Sequence, residues 1–351
     1  MSVAHNIYIH VPFCMAKCNY CAFYSLACKN PDWQKYADNI CDELKFWADK
    51  LGKIDVPTVF FGGGTPSLMP INVFEQIMKV LREYFNLSEN CEITLESNPG
   101  TLDRNKLADF VSNGINRLSV GVQSLNDDEL LFLGRIHNVH QATDLLDAAG
   151  DMGLRVSADF IYGLPHQSEK SVADMCKNIN ELGLQHVSLY ELTIEKNTPF
   201  GKMNLDMPNN ETMAKMYMSI SDVLNLPRYE VSNYAIAGQE CRHNQNIWAG
   251  DAYIGIGRGG AGRVHMDNVW YDEMGGFERF EIIDDATRAT EKILTGMRTI
   301  RGVKLDKDVR AQIDFDWVNR NKNLVVEKNN YLYATNQGLL VLDNLLLDLI
   351  K

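Results

Sequence analysis

The chain has 351 residues, 45% of them hydrophobic, and a net charge of −12. That length and apolar content supply one large core and a smaller one. The acidic balance argues against an electrostatic grip on nucleic acid. No apolar run approaches bilayer length, so no transmembrane segment is expected and a membrane would be met only peripherally. The amino terminus, MSVAHNIYIHVPF, lacks a charged stretch followed by an apolar one. Eight cysteines, three of them crowded within 14–21, look unlike a secreted disulfide framework. A cytoplasmic protein with a metal-binding loop is the expectation.

In chain order, strands are predicted at 6–12, 57–61, 91–96, 116–122, 154–162 and 185–192, where β-branched and aromatic residues cluster. Amphipathic helices fill the gaps at 31–51, 71–85, 103–113, 139–150 and 170–182. In the first of them Trp33, Tyr36, Ile40, Leu44 and Trp47 recur at spacings of three and four. Six βα units predict an α/β fold, an open partial (β/α)6 barrel whose working loops lie at the strands' carboxyl ends. From about 200 the rhythm changes to a helix at 209–225, a strand at 228–234 and a Gly-rich passage at 250–264, where the barrel reading ends. Beyond 275, helices at 284–299 and 306–313, two strands at 323–333 and a helix at 336–350 predict an α+β, winged-helix-like domain. With few basic residues at 334–350, that domain is expected to pack or meet a partner rather than bind DNA. The expected divisions are a barrel core over 1–200, an extension over 201–275 and the C-terminal domain over 276–351.

The segment VPFCMAKCNYCAF places Cys14, Cys18 and Cys21 in a C-x3-C-x2-C spacing after the first strand. Three thiolates can wrap three irons of a 4Fe-4S cubane and leave the fourth without a protein ligand, whereas structural zinc and ferredoxin clusters complete four. Cys28 is the nearest further thiol and lies outside the tight loop. The second strand runs into FFGGGTPSLM, whose glycines let backbone approach a ligand closely. Glu96, Gln123 and Asp159 recur at the ends of the third, fourth and fifth strands, where they would line one cavity. His10 alternates with Tyr8 on the strand entering the cysteine loop and reads as its support.

This cysteine spacing after the first strand of a partial barrel resembles the signature of the radical S-adenosylmethionine superfamily. The resemblance implies that S-adenosylmethionine chelates the open iron and that an electron from the cluster cleaves its sulfonium bond to a 5′-deoxyadenosyl radical. YIHVPFC, GGGTP, ESNPG, VGVQS, GRIHN and DFIYGLP are similar, in order and spacing from residue 6 to about 300, to the oxygen-independent coproporphyrinogen oxidase (HemN-like) family. Carried over by motif, Tyr8, Gly63, Glu96 and the three cysteines serve a first S-adenosylmethionine. Tyr20, Gly64, Thr65, Gln123, Arg135 and Asp159 match contacts to a second.

Two departures resemble the HemW branch of that family, haem chaperones that keep the cluster: Phe23 stands where the oxidases carry a further Cys, and the first strand begins by residue 6. CRHNQNIW at 241–248 looks like that branch's H-N-x-x-Y-W element, with Ile247 in place of Tyr. The branch implies haem as cargo and haem-accepting proteins as partners. His243 reads two ways, as a ligand to haem iron or as a hydrogen-bonded structural residue. A coproporphyrinogen III dehydrogenase and a radical methyltransferase stay open beside the chaperone, which the departures favour.

Overall fold

The computed structural model describes residues 3–351. Its first βα unit shows the local logic of the whole. β1 (His5–Val11) leads into a short parallel ladder, β2 (Phe13–Cys14) against β3 (Leu26–Ala27), that closes the cysteine loop. α1 (Trp33–Leu51) starts at Asp32, whose carboxylate accepts from the Lys35 N–H at 3.0 Å. Its apolar stripe of Tyr36, Ile40, Leu44 and Trp47 is buried, each side chain contributing about 1.5–3 kcal/mol on leaving water.

The unit then repeats through β4 (Asp55–Gly63), α2 (Ile71–Tyr84), β5 (Asn86–Ser97), α3 (Arg104–Ser112), β6 (Arg117–Gln123), α4 (Asp127–Phe132), α5 (Val139–Asp151), β7 (Arg155–Tyr162), α6 (Glu169–Glu181) and β8 (His186–Glu191). The six predicted strands are all present and run parallel in the order β1-β4-β5-β6-β7-β8. Because side chains alternate along a strand, Ile7, Ile9, Phe61, Leu95, Leu118 and Phe160 join the main buried core. The alternate positions, among them Tyr8, Glu96, Ser119 and Asp159, belong to the other face and bond across it. α4 had no sequence prediction, since six residues are too few to show a period.

α7 (Asn210–Val223) matches its prediction. β9 (Asn233–Ala235) is shorter than the predicted 228–234, because the Glu230 carboxylate accepts from the Ser232 N–H at 2.7 Å and turns the chain before it. α8 (Arg242–Trp248) forms over the CRHNQNIW segment, for which no element was predicted. The Gly-rich passage also differs from its reading, for the sheet does not end there. β10 (Ala252–Ile256) adds to β1 in parallel, and β11 (Ala261–Met266), β12 (Val269–Met274) and β13 (Arg279–Ile283) continue antiparallel to give an 11-stranded sheet. Glu273 accepts from the Gly255 N–H and Glu43 of α1 from Gly257 and Gly276, which ties this hairpin to the first helix.

The C-terminal layer runs α9 (Asp285–Gly296), β14 (Val303–Lys304), α10 (Lys307–Gln312), α11 (Phe315–Arg320), β15 (Val325–Lys328), β16 (Tyr331–Ala334), α12 (Asn336–Leu340) and α13 (Leu342–Leu349). A β14-β16-β15 sheet and a separate buried cluster around Ile293, Val309, Leu332 and Leu349 give the winged-helix-like arrangement expected. The helix predicted over 336–350 breaks at Val341, which leaves helical geometry at φ −126° and ψ 26°. No helix among the described residues is long and apolar enough to cross a membrane.

Candidate cofactor site

The cysteine loop lies at the carboxyl end of β1. Cys14 is buried, and Cys18 and Cys21 are half-buried. Burial pushes the Cys14 thiol up, and the charges of Cys21 and Cys18 push the same way, so the three sulfurs sense one another. No trio of His, Cys, Asp or Glu among the described residues closes around a single ion. Three thiolates in one loop are the donor type an iron–sulfur cluster takes.

Gly64 is packed directly under this loop. A Cβ there would lie 2.9 Å from Cys14 Sγ and 2.7 Å from the Phe13 carbonyl, while its N–H donates to Val11 at 2.8 Å. Gly63, at φ 115°, faces the His10 ring. His10 donates from Nε2 to the Tyr24 carbonyl at 2.8 Å, which leaves Nδ1 to accept from the Tyr8 hydroxyl at 3.0 Å. The support role read from the alternation of Tyr8 and His10 is the one the geometry displays.

Glu96 accepts from the Gly63 N–H at 3.0 Å. Burial lifts its carboxyl to about 7, and the nearby Asp159 charge adds to the shift. Asp159 is a correction to the sequence reading, for it sits inside β7 rather than at its end and accepts from the Ser119 hydroxyl at 2.9 Å. Burial raises its carboxyl as well. Gln123 closes β6 with a φ of 71°. Thr65 is buried and accepts from the Asn98 amide at 3.0 Å. Tyr20 packs beside the apolar cluster of Leu133, Ile161 and Phe200, and burial raises its hydroxyl. Arg135 reaches the cysteine loop itself, Nη1 standing 3.2 Å from Cys18 Sγ while Nη2 donates to Asn98 and, at 2.9 Å, to the Gly121 carbonyl.

Sequence reasoning passed over Asn98, which joins Thr65 to Arg135, and the buried Arg117. Arg117 carried a usable signal, a charge at the same alternate register as Ser119 in a predicted strand.

The amino-terminal end of the strands is floored by α8. Glu92 of β5, 0% exposed, accepts from the His243 N–H at 2.9 Å, the Arg242 N–H at 3.1 Å and Arg155 Nη1 at 2.6 Å. A carboxylate there meets the unpaired first N–H groups of the helix. His243 is only 2% exposed; its Nδ1 lies 2.7 Å from Thr58 Oγ1 and its ring 5.1 Å from that of Phe60. Its Nε2 is buried without a partner, and burial holds the imidazole down to about 4. The ring is closed in by Thr58, Phe60 and Tyr8. At the far end of α8, Trp248 lines a cavity of about 400 Å³ with Tyr229, Lys292, Ile300, Arg301 and Lys304, well away from the cysteines.

Residues 8–179 match the family model described as the radical SAM superfamily. The chain is 37% identical over 265 residues to the heme chaperone HemW of Escherichia coli (strain K12), covering 74% of this chain and 70% of that protein. It is 30% identical over 324 residues to the heme chaperone HemW of Lactococcus lactis, covering 86% and 84%. The chain belongs to the HemW family of radical SAM proteins. The structure of coproporphyrinogen III oxidase (HemN) from Escherichia coli, a radical SAM enzyme, shares the fold at a TM-score of 0.83 and 20% identity, over 99% of this chain and 89% of that one. In this HemW-family chain, Phe23 projects from the cysteine loop with 72% of its surface exposed, at the position where the oxidase motif has its further Cys.

Proposed function

We propose that the protein carries haem to haem-accepting proteins while holding a 4Fe-4S cluster on Cys14, Cys18 and Cys21 and S-adenosylmethionine at the open iron. One observation carries the cofactor part of this reading. Three thiols share a loop with no fourth in it, Gly64 is packed against Cys14, and the adjoining Gly63 N–H donates to the buried Glu96 carboxylate, a setting of backbone and charge that suits a small chelating ligand. When bound, the cluster and S-adenosylmethionine supply one-electron chemistry at the sulfonium. The chain's part is to bind and orient. Tyr8, Gly63 and Glu96 would receive the first S-adenosylmethionine. Tyr20, Gly64, Thr65, Gln123, Arg135 and Asp159 would receive a second.

The cargo part is supported by kinship with proteins named heme chaperones and by the cavity beside Trp248. Glu240 and Asp306 also line it, and Asp306 pairs with Lys292 at 3.7 Å, so the aromatic walls with Arg301 and Lys304 are the features that suit a flat apolar ring bearing carboxylates. His243 is the alternative ligand, a buried ring that neighbouring groups must uncover before it meets iron. Anaerobically reconstituted protein titrated with haem is expected to develop a stoichiometric Soret band, and its absence with the iron intact overturns the cargo reading. Carbon dioxide release from coproporphyrinogen III, given reductant and S-adenosylmethionine, would establish the dehydrogenase instead.

A further inference from the structure

The end of α4 is fastened to the cysteine loop by the residue that follows Cys18. Asn19 donates from its amide to the Phe132 carbonyl at 2.8 Å and from its backbone to Leu133 at 3.1 Å, so it satisfies the last carbonyls of that helix. Gly134 comes next with a φ of 75°, and a Cβ there would press on Asn19 at 3.0 Å. This left-handed turn, closed by the Arg135 N–H donating to Leu130 at 2.9 Å, sends the Arg135 side chain back over the loop. Two of its donors are then anchored on Asn98 and Gly121, and Nη1 is left pointing at Cys18 Sγ at 3.2 Å. The guanidinium is held in place by groups other than the sulfur it meets.

We infer that Arg135 sets the reduction potential of the cluster through a charge-assisted hydrogen bond to the Cys18 thiolate. A donor on a ligating sulfur, and a positive charge beside it, stabilise the cluster more after it has gained an electron than before. Arg135 therefore makes the cluster easier to reduce. The electron comes from the external reductant, no bond breaks, and the guanidinium keeps its charge throughout. The residue is a positioning residue, acting on the iron through Cys18. The family resemblance assigns Arg135 to a second S-adenosylmethionine, so this role at the sulfur is separate from that one.

The inference rests on the cluster reading above, and the experiment keeps the two apart. Wild type and R135Q are reconstituted anaerobically, their iron is counted, and the midpoint of the reduced-cluster electron paramagnetic resonance signal is found by redox titration without S-adenosylmethionine. With iron content equal to wild type, R135Q is expected to shift the reduction equilibrium at least tenfold toward the oxidised cluster, about 59 mV for one electron. An unchanged midpoint overturns the inference and leaves the cluster reading standing. Wild-type protein that takes up no iron removes both. Should R135Q fail to hold iron, wild type labelled with 15N at the arginine guanidinium decides the matter. Electron–nuclear double resonance of the reduced cluster is expected to show a 15N coupling, and its absence overturns the inference.

Discussion

A methyl group added at Gly64 would lie 2.9 Å from the sulfur of Cys14. The site is built from such close approaches, and backbone rather than side chain forms its base. Gly64→Ala is expected to displace Cys14 and to lower the iron bound after reconstitution by more than half, measured as iron per protein. The added carbon also meets the Phe13 carbonyl and the Pro12 backbone, so the strand entering the loop must shift with it. His243 is the opposite kind of residue, buried and neutral. Its imidazole is held down to about 4, so between pH 6.5 and 4 the unfolded chain takes up a proton that the folded chain refuses. The stability contributed by neutral His243 is thus whole above 6.5 and declines as pH falls toward 4. His243→Gln removes that proton uptake. The stability gap between parent and variant, from urea midpoints, is expected to narrow steadily across this window.

Two elements are held by carboxylates placed where backbone N–H groups lack partners. α8 begins on Glu92, with Arg155 closing the ion pair from β7. Removing one partner of a buried pair leaves the other uncompensated, and Glu92→Ala is expected to cost about 3–5 kcal/mol in a urea melt. The hairpin of β11 and β12 depends on Glu273, whose carboxyl is pushed up to about 8, first by burial. Here the folded state binds a proton that the unfolded chain releases near the ordinary carboxylate value, so stability is highest at low pH and is lost as pH rises through 8. Glu273→Gln keeps an acceptor for the Gly255 N–H and cannot ionise. Its melting temperature is expected to gain on the parent between pH 5 and pH 9. A constant difference across that range would show that Glu273 does not titrate with folding.

Across the whole molecule, an 11-stranded sheet and a C-terminal layer are joined by a seam of polar contacts, among them the Arg263–Glu291 ion pair between β11 and α9. Arg298 donates to the buried Glu230 at 2.9 Å and its carbonyl accepts from Val231 at 3.1 Å; Arg288 reaches the Gly250 carbonyl at 2.7 Å. Glu230→Gln would weaken this seam, and faster protease cleavage between 231 and 298 at unchanged iron content is the expected readout. Burial shifts histidines and carboxylates in opposite senses, which is why each pH prediction compares a variant with its parent.

The six parallel strands, their amphipathic helices and the cysteine spacing were legible because each is a local pattern: a period of two, a period of three to four, and three thiols within eight residues. Family resemblance added Arg135 and Thr65, which carry no periodic signal. Tertiary structure alone decided the rest. The Gly-rich passage becomes β10 beside β1 because its glycines fit where backbones crowd, yet those same glycines erase the alternation that marks a strand. CRHNQNIW becomes α8 because a carboxylate 150 residues earlier waits under its first N–H groups, and Asp159 finds its partner hydroxyl only when β6 lies beside β7. A sequence specifies what each segment can bury or bond, and only the folded chain brings the distant partner that selects among those options.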